Sequence, residues 1–264
     1  MGDGKVRRTT IRSRPSGSRV AAETASHGLA RIISKRGICS RTQAAALVRS
    51  GDVRVDGAVV RDPEQRTRTD AHIEIGNIDG GPVARRYLML NKPRGLVTTT
   101  SDEKDRDTVY ACFAAAGMPW IAPVGRLDKA SEGLLLFSND SAWAARVSAA
   151  NSGVDKCYHV QVACLPDTNL YETLCAGVEL AGERLLAKAV RELRRGEKNT
   201  WLEITLDEGR NRHIRRLLAA FDVEVLRLIR VSIGSLQLGD LAKGQWRELD
   251  AREVQALAAP SASP

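Results

Sequence analysis

One stretch, GNIDGGPVARR at residues 76–86, constrains the fold before anything else does. It is Gly-rich and polar and carries no apolar period, so it reads as a linker rather than as part of a core. A 264-residue chain broken there holds two unequal domains, spanning 27–80 and 84–255. They are flanked by a basic disordered tail over 1–26 and a flexible C-terminal tail over 256–264. With 43% apolar and 27% charged residues, the chain has the balance of a globular protein with a sizeable core.

In the first domain Leu29, Ile32 and Ile33 fall at helical spacing and Gly37 supplies a stop. Ser40 is placed as the N-cap of a second short helix, whose apolar face is Ala44, Leu47 and Val48 and which Gly51 closes. VRVDGAVV at 53–60 then reads as a hairpin turning on Asp56-Gly57. The second domain mixes both periods. RYLMLNKPRGLVTTT starts it as strand and turn, strand-like runs follow at 133–137, 156–162, 201–206 and 225–238, and helical segments lie near 140–149 and 211–220. The expected fold class is α+β: a small helix-helix-hairpin domain, then a larger one with a mostly antiparallel mixed sheet flanked by helices.

Lys and Arg outnumber Asp and Glu by 40 to 32. That surplus fits a polyanionic partner or simple solubility equally well, so its placement decides. Between residues 31 and 54, Arg31, Lys35, Arg36, Arg41, Arg49 and Arg54 face only Asp52. A generic solvated face mixes the signs, whereas this one suits the phosphates of RNA or DNA. No aromatic residue interleaves with these cations, so contact there reads shape and phosphate rather than bases. Through residue 20 the tail holds six basic side chains against Asp3, and either touches phosphates nonspecifically or has no role.

No apolar run approaches the ~18 residues of a membrane span, and the Ser-rich start lacks the hydrophobic segment of a secretory signal. A cytoplasmic protein is expected. The five cysteines are odd in number and form no CxxC pair, and the four histidines are scattered. Reduced thiols and no metal site are therefore expected.

Asp128 lies in a turn between APV and the short buried strand GLLLF, two residues after Arg126. A carboxylate held among cations stays ionised, which suits it to nucleophilic or electrostatic work rather than proton donation. By itself it can equally cap a turn or make a salt bridge. In KCYHVQV, at 156–162, alternation puts Tyr158 on the face of Val160 and Val162, either as a core tyrosine or as a ring that stacks on an extruded base. In LDEGRNRHIRRLLAAF, at 206–221, Ile214, Leu217 and Leu218 form a buried stripe, while Arg212, Arg215 and Arg216 crowd the first turns of a helix. Cations are mildly unfavourable at that end, so a sequence that keeps them there has phosphates or an internal carboxylate to bind.

Two resemblances sharpen this reading. LARIISKRGICSRTQAAALVRSGDVRVDGAVV resembles the small RNA-binding domain first known from ribosomal protein S-four, which implies a partner class but not a reaction. GRLDKASEGLLLFSND closely resembles the signature of the RsuA/RluB family of pseudouridine synthases. NKPRGLVTT, KCYHVQV, EGRNRHIRRL and the ending LIRVSIGSLQLGDLAKGQWREL look like that family's other motifs in order.

The resemblance implies isomerisation of uridine to pseudouridine in 16S or 23S ribosomal RNA, free or in an assembly intermediate, by a cofactor-free enzyme with base flipping. The family's catalytic aspartate falls on Asp128, its active-site tyrosine on Tyr158, and the basic partner of the aspartate on Arg215. Arg126 falls on an arginine linked to the flipped nucleotide, and Arg210, Arg212 and Arg216 join the RNA-contacting set. Ser131 stands where threonine is more usual and His213 where glutamine is common. A noncatalytic RNA-binding or ribosome-assembly factor is the rival reading, and would not need Asp128, Tyr158 and Arg215 together. A nucleoside hydrolase would usually need a second carboxylate, which the sequence does not offer. A monomer is expected.

Overall fold

The computed structural model describes Met1 and residues 25–76, 78–99, 106–149 and 153–259. Most of the basic tail lies outside the described residues. The leading domain runs β1 (Ser26–Gly28), α1 (Leu29–Lys35), α2 (Arg41–Ser50), β2 (Val53–Val55), β3 (Ala58–Val59), β4 (Arg66–Arg68), β5 (Ile73–Ile75) and β6 (Ile78–Asp79). The Ser40 hydroxyl accepts from Gln43 N while the Gln43 side chain accepts from Ser40 N, so two free amides at the start of α2 are satisfied at once. Gly51 ends that helix at φ 87°, and Asp56 and Gly57 turn the hairpin at φ 49° and 81°, both in the left-handed region that such a turn requires. Leu29, Ile32, Ile33, Ala44, Val48 and Ile73 close into one small core.

The linker reading of 76–86 needs correction. Ile78 and Asp79 form β6, antiparallel to β5, and Val83 N donates to Arg36 O. Arg85 then bridges the domains, its Nη2 donating to Lys35 O and its Nη1 to Asn139 O. Asn139, buried, receives Arg86 N and donates to Ala84 O. The segment is latched at both ends by hydrogen bonds that a polar, Gly-rich composition does not reveal.

The second domain runs β7 (Tyr87–Lys92), a short 3₁₀ turn (Val109–Phe113), β8 (Ala122–Val124), β9 (Glu132–Ser138), α3 (Ser141–Ser148), β10 (Lys156–Val162), α4 (Thr168–Ala176), β11 (Val178–Leu180) and β12 (Glu183–Leu185). It continues through β13 (Ala189–Arg195), β14 (Thr200–Leu206), α5 (His213–Ala219), β15 (Val225–Ile233), β16 (Leu236–Gln237), β17 (Trp246–Glu248) and α6 (Ala251–Ala258). Its main sheet has the order β13-β14-β10-β15-β9-β7-β17, with β16 on β15 and β8 on β9. The expected α+β class holds, and so does the mostly antiparallel sheet. The C-terminal tail begins later than the sequence suggests: α6 continues through Ala258, and Leu257 is buried beside Val254 in the second core.

One seam departs from the antiparallel rule. β9 and β15 run parallel and pair only at Glu132↔Ile229 and Gly133↔Arg230. Leu135 and Phe137 of β9 belong to the larger core, whereas Leu134 and Leu136 face the opposite one, so β9 is covered on both sides. A short parallel contact between strands that join different neighbours leaves a cleft, and the functional cavity lies there.

Candidate active site

The turn that carries Asp128 is gripped by the end of β7 and the segment that follows it. Lys92 Nζ donates to Pro93 O (3.1 Å), Asp128 O (3.3 Å) and Ser131 O (2.9 Å). Thr98 Oγ1 donates to Leu127 O at 2.7 Å, and Gly95 N donates to Lys129 O at 2.8 Å. Ser131 N closes the turn onto Asp128 O. This is the physical content of NKPRGLVTT: its polar groups satisfy the backbone of the loop and leave the Asp128 side chain uncommitted. Among the described residues that carboxylate has no hydrogen-bond or ion-pair partner within contact range.

Asp128 lines a cavity of about 530 Å³, together with Arg126, Ser131, Tyr158, Arg210, Arg212, Arg215 and others. That volume falls in the ordinary range of small-ligand sites. Tyr158 is 7% exposed, packed into the larger core and yet on the cavity wall, so the two readings of this ring are compatible. Arg215 is half-buried on α5. Its Nη1 donates to Val225 O (3.2 Å) and its Nη2 to Ala130 O (3.3 Å), and its Nε has no partner.

Arg215, which the resemblance implies is the basic partner of Asp128, makes no contact ion pair with it among the described residues: its guanidinium holds the carbonyl two residues beyond Asp128 and acts on the carboxylate through space. Burial and the neighbouring Arg212 push the Arg215 pKa down, Asp128 pulls it back up, and Arg94 lowers it again. On the cavity wall Arg126, Lys156, Arg210, Arg212, Arg215 and Arg230 outnumber Asp128 and Glu208, which gives the pocket a net positive field.

The predicted cations divide among three roles. Arg126, Arg210 and Arg212 join the cavity, Arg210 through an ion pair with Glu208 at 2.8 Å. Arg212 sits at φ 49° as the residue preceding α5, so the helix starts at His213, two residues later than the sequence suggests, on a strained cap. Arg216 instead turns away to Glu183 on β12, at 2.7 Å. Arg36 is also corrected: its guanidinium is spent on Gly80 O, Thr69 O and Ala71 O and closes its own domain. Arg31, Arg49 and Arg54 are exposed, Lys35 Nζ lies 3.3 Å from His27 Nε2, and Arg41 makes an open ion pair with Glu64 at 2.9 Å.

Four residues were not singled out by the sequence. Lys92 is fully buried and its pKa is pushed down to about 8 by burial, against the pull of Glu132 and Asp128. Glu132, 3% exposed, takes Arg227 on both oxygens (3.1 and 3.0 Å) and Lys243 at 2.6 Å. Burial raises its pKa, but these two cations more than offset that and hold it below the usual range. Lys156 and Arg230 complete the cavity wall. Lys92, Glu132, Lys156 and Arg230 all stand inside motifs quoted above, but spacing alone assigns no role to any of them.

Known proteins resemble this chain across both domains. Residues 86–220 match the family model described as RNA pseudouridylate synthase, and residues 28–73 match that of the S4 domain. The chain is 36% identical over 222 residues to an uncharacterized RNA pseudouridine synthase of Rickettsia bellii, covering 84% of this chain and 96% of that one. It is 34% identical over 230 residues to one of Aquifex aeolicus, covering 86% and 92%. A crystal structure of a pseudouridylate synthase superposes with a TM-score of 0.61 at 27% identity, over 87% of this chain and 99% of that one. The chain belongs to the RNA pseudouridine synthase family, carries a leading S4 domain, and is an isomerase acting on RNA.

Proposed function

We propose that the substrate is a uridine of 16S or 23S ribosomal RNA, that Asp128 is the reacting carboxylate, and that Tyr158 is the ring against which the extruded uracil packs. In the isomerisation the bond from ribose C1′ to N1 breaks and one from C1′ to C5 forms. C5 gives up a proton and N1 gains one, so the balance closes without oxidant or group donor. An anionic group is needed where the ribose carbon becomes electron-poor. The observation that carries the assignment is the Asp128 side chain, uncommitted in a cavity while the carbonyls of Leu127, Asp128 and Ser131 around it are each held by a side-chain donor.

Arg215 fixes the Ala130 carbonyl and hence the turn, and supplies positive field without neutralising the carboxylate by contact. Arg126 and Arg212 line the same cavity and face the phosphates of the strand from which the nucleotide swings. The exposed cations of α1 and α2 dock the surrounding RNA. The protein works as a monomer in the cytoplasm, without a metal or small-molecule cofactor.

The test is pseudouridine mapping on ribosomal RNA from cells lacking the protein, complemented with the native form or with Asp128→Asn. The expected outcome is a uridine that loses modification in the deletion and regains it only with the native form. Restoration by the amide variant removes the role of Asp128, and an unchanged ribosomal map removes ribosomal RNA as substrate.

A further inference from the structure

Among the described residues, two cations of the cavity wall make no ion pair. Arg230 is only 5% exposed; its Nε donates to Leu134 O at 2.8 Å, and its Nη2 is buried without a partner. Lys156 is half-buried and uses one donor, on Val154 O at 2.9 Å. Both line the same cavity as Asp128. Both lie on adjacent strands, with Arg230 opposite Tyr158 and Lys156 two residues before it. They feel one another: burial and then the Arg230 charge push the Lys156 pKa down. Asp155 and Asp207 oppose this shift, but Asp155 is engaged by Lys188 at 2.7 Å, and Asp207 is exposed at the surface.

Two like charges held together in a cleft, one with a guanidinium nitrogen unmatched, are stabilised by an anion bridging them. A nucleotide of RNA carries one kind of anionic group, its phosphate. We propose that Lys156 and Arg230 form a binding site for a phosphodiester flanking the flipped nucleotide, seated beside Tyr158, with Arg230 on β15 between the strand of Tyr158 and β9. The site rests on the reading of the cavity as the place where the target nucleotide enters. Engaging a flanking phosphate there fixes the strand next to the tyrosine and so sets how deeply the base is drawn in.

Binding rather than turnover tests it. Full-length 16S and 23S transcripts are titrated with the Asp128→Asn protein, alone and combined with Lys156→Met or Arg230→Gln, across a series of KCl concentrations. The expected result is weaker binding to the transcript bearing the target and a salt slope shallower by about 0.7 to 0.9 for each phosphate no longer neutralised. An unchanged slope in the Lys156→Met protein, whose fold is verified by circular dichroism, overturns the proposal even if Arg230→Gln does not fold. Inorganic phosphate at fixed ionic strength separates the sources. If it raises the melting temperature of the native protein but not of Lys156→Met, while the slope is unaltered, the site holds free phosphate and the proposal fails. The two readings fail separately: an unmodified rRNA map with a shallower slope removes the ribosomal assignment and keeps this site, and a restored map with an unchanged slope does the reverse.

Discussion

Lys92 places an ammonium with no solvent exposure beneath the loop that presents Asp128. Its cost is offset by three carbonyls and by the nearby charges of Glu132 and Asp128, yet its pKa still falls to about 8 from an ordinary 10.5. The sign of the linkage follows directly. Below pH 8 folded and unfolded chains both hold this proton, and the burial penalty is fully present. Between about 8 and 10.5 only the unfolded chain holds it, so stability rises with pH. The native protein should therefore gain stability relative to Lys92→Met across that window, with a slope below about 1.4 kcal/mol per pH unit, the limit for one proton. The difference between the two should be flat below pH 8. Urea melts at several pH values check this, and a flat difference throughout would mean that burial does not penalise the Lys92 charge. The same variant should lose most of its single-turnover rate, because the carbonyls of Asp128 and Ser131 lose their donor and the turn its anchor. Asp128 was singled out through the family signature around it, since its setting among turn, cation and strand alone suits a turn cap or a salt bridge. Lys92 was not, because a lysine in a motif shows its burial only once β9 and the Asp128 loop close over it.

Among the elements, β9 bears the strictest demand. Gly133 has φ 99°, and a Cβ there would collide with the carbonyl of Arg230 across the parallel seam. Gly125 also has a positive φ, of 77°, but nothing lies within 4 Å of where its Cβ would stand. The two glycines therefore separate backbone strain from steric clash. Gly125→Ala should cost only the strain, on the order of 1 kcal/mol. Gly133→Ala should cost that plus the parting of β9 from β15, several kcal/mol or failure to fold, because backbone cannot yield as a flexible side chain does. The shift in urea midpoint between the two variants reads the difference, and equal shifts would mean that the seam tolerates a side chain.

Sequence made GLLLF legible as a buried strand and KCYHVQV as an alternating one, and β10 indeed spans Lys156–Val162. The Ser40 cap and the Asp56-Gly57 turn were equally plain, since each is a local pattern of a few residues. The seam was not legible, because Gly133 meets a residue nearly a hundred positions away and no local period encodes that meeting. The edge strand β13 was hidden for another reason: its residues are mostly exposed and charged, so alternation there has no apolar face to mark it.

Among the described residues, the cations that could meet RNA include an exposed set on the leading domain and a second set around the cavity. Arg85 and Asn139 join the two domains by hydrogen bonds, so the outer set is held in a defined relation to the cavity rather than trailing on a free linker. On α2, Arg41 and Arg49 mark the two ends of one helix, and neither is buried. The pair of Arg41 with Glu64 is open to solvent on both sides, so it is worth little and releases Arg41 to a phosphate at small cost. If this helix lies along an RNA backbone, reversing both charges, Arg41→Glu with Arg49→Glu, removes two counterion-releasing cations and adds repulsion. The salt dependence of binding should then flatten by about 1.4 to 1.8, at 0.7 to 0.9 per phosphate, with affinity falling most at low salt, where screening is weakest. Neither side chain packs in the small core of Leu29, Ile33 and Val48, so the melting temperature should hardly move. Titration of a fluorescent rRNA fragment over a range of KCl concentrations gives the slope directly. An unchanged slope with intact folding would take α2 off the RNA path and leave docking to the cations that line the cavity.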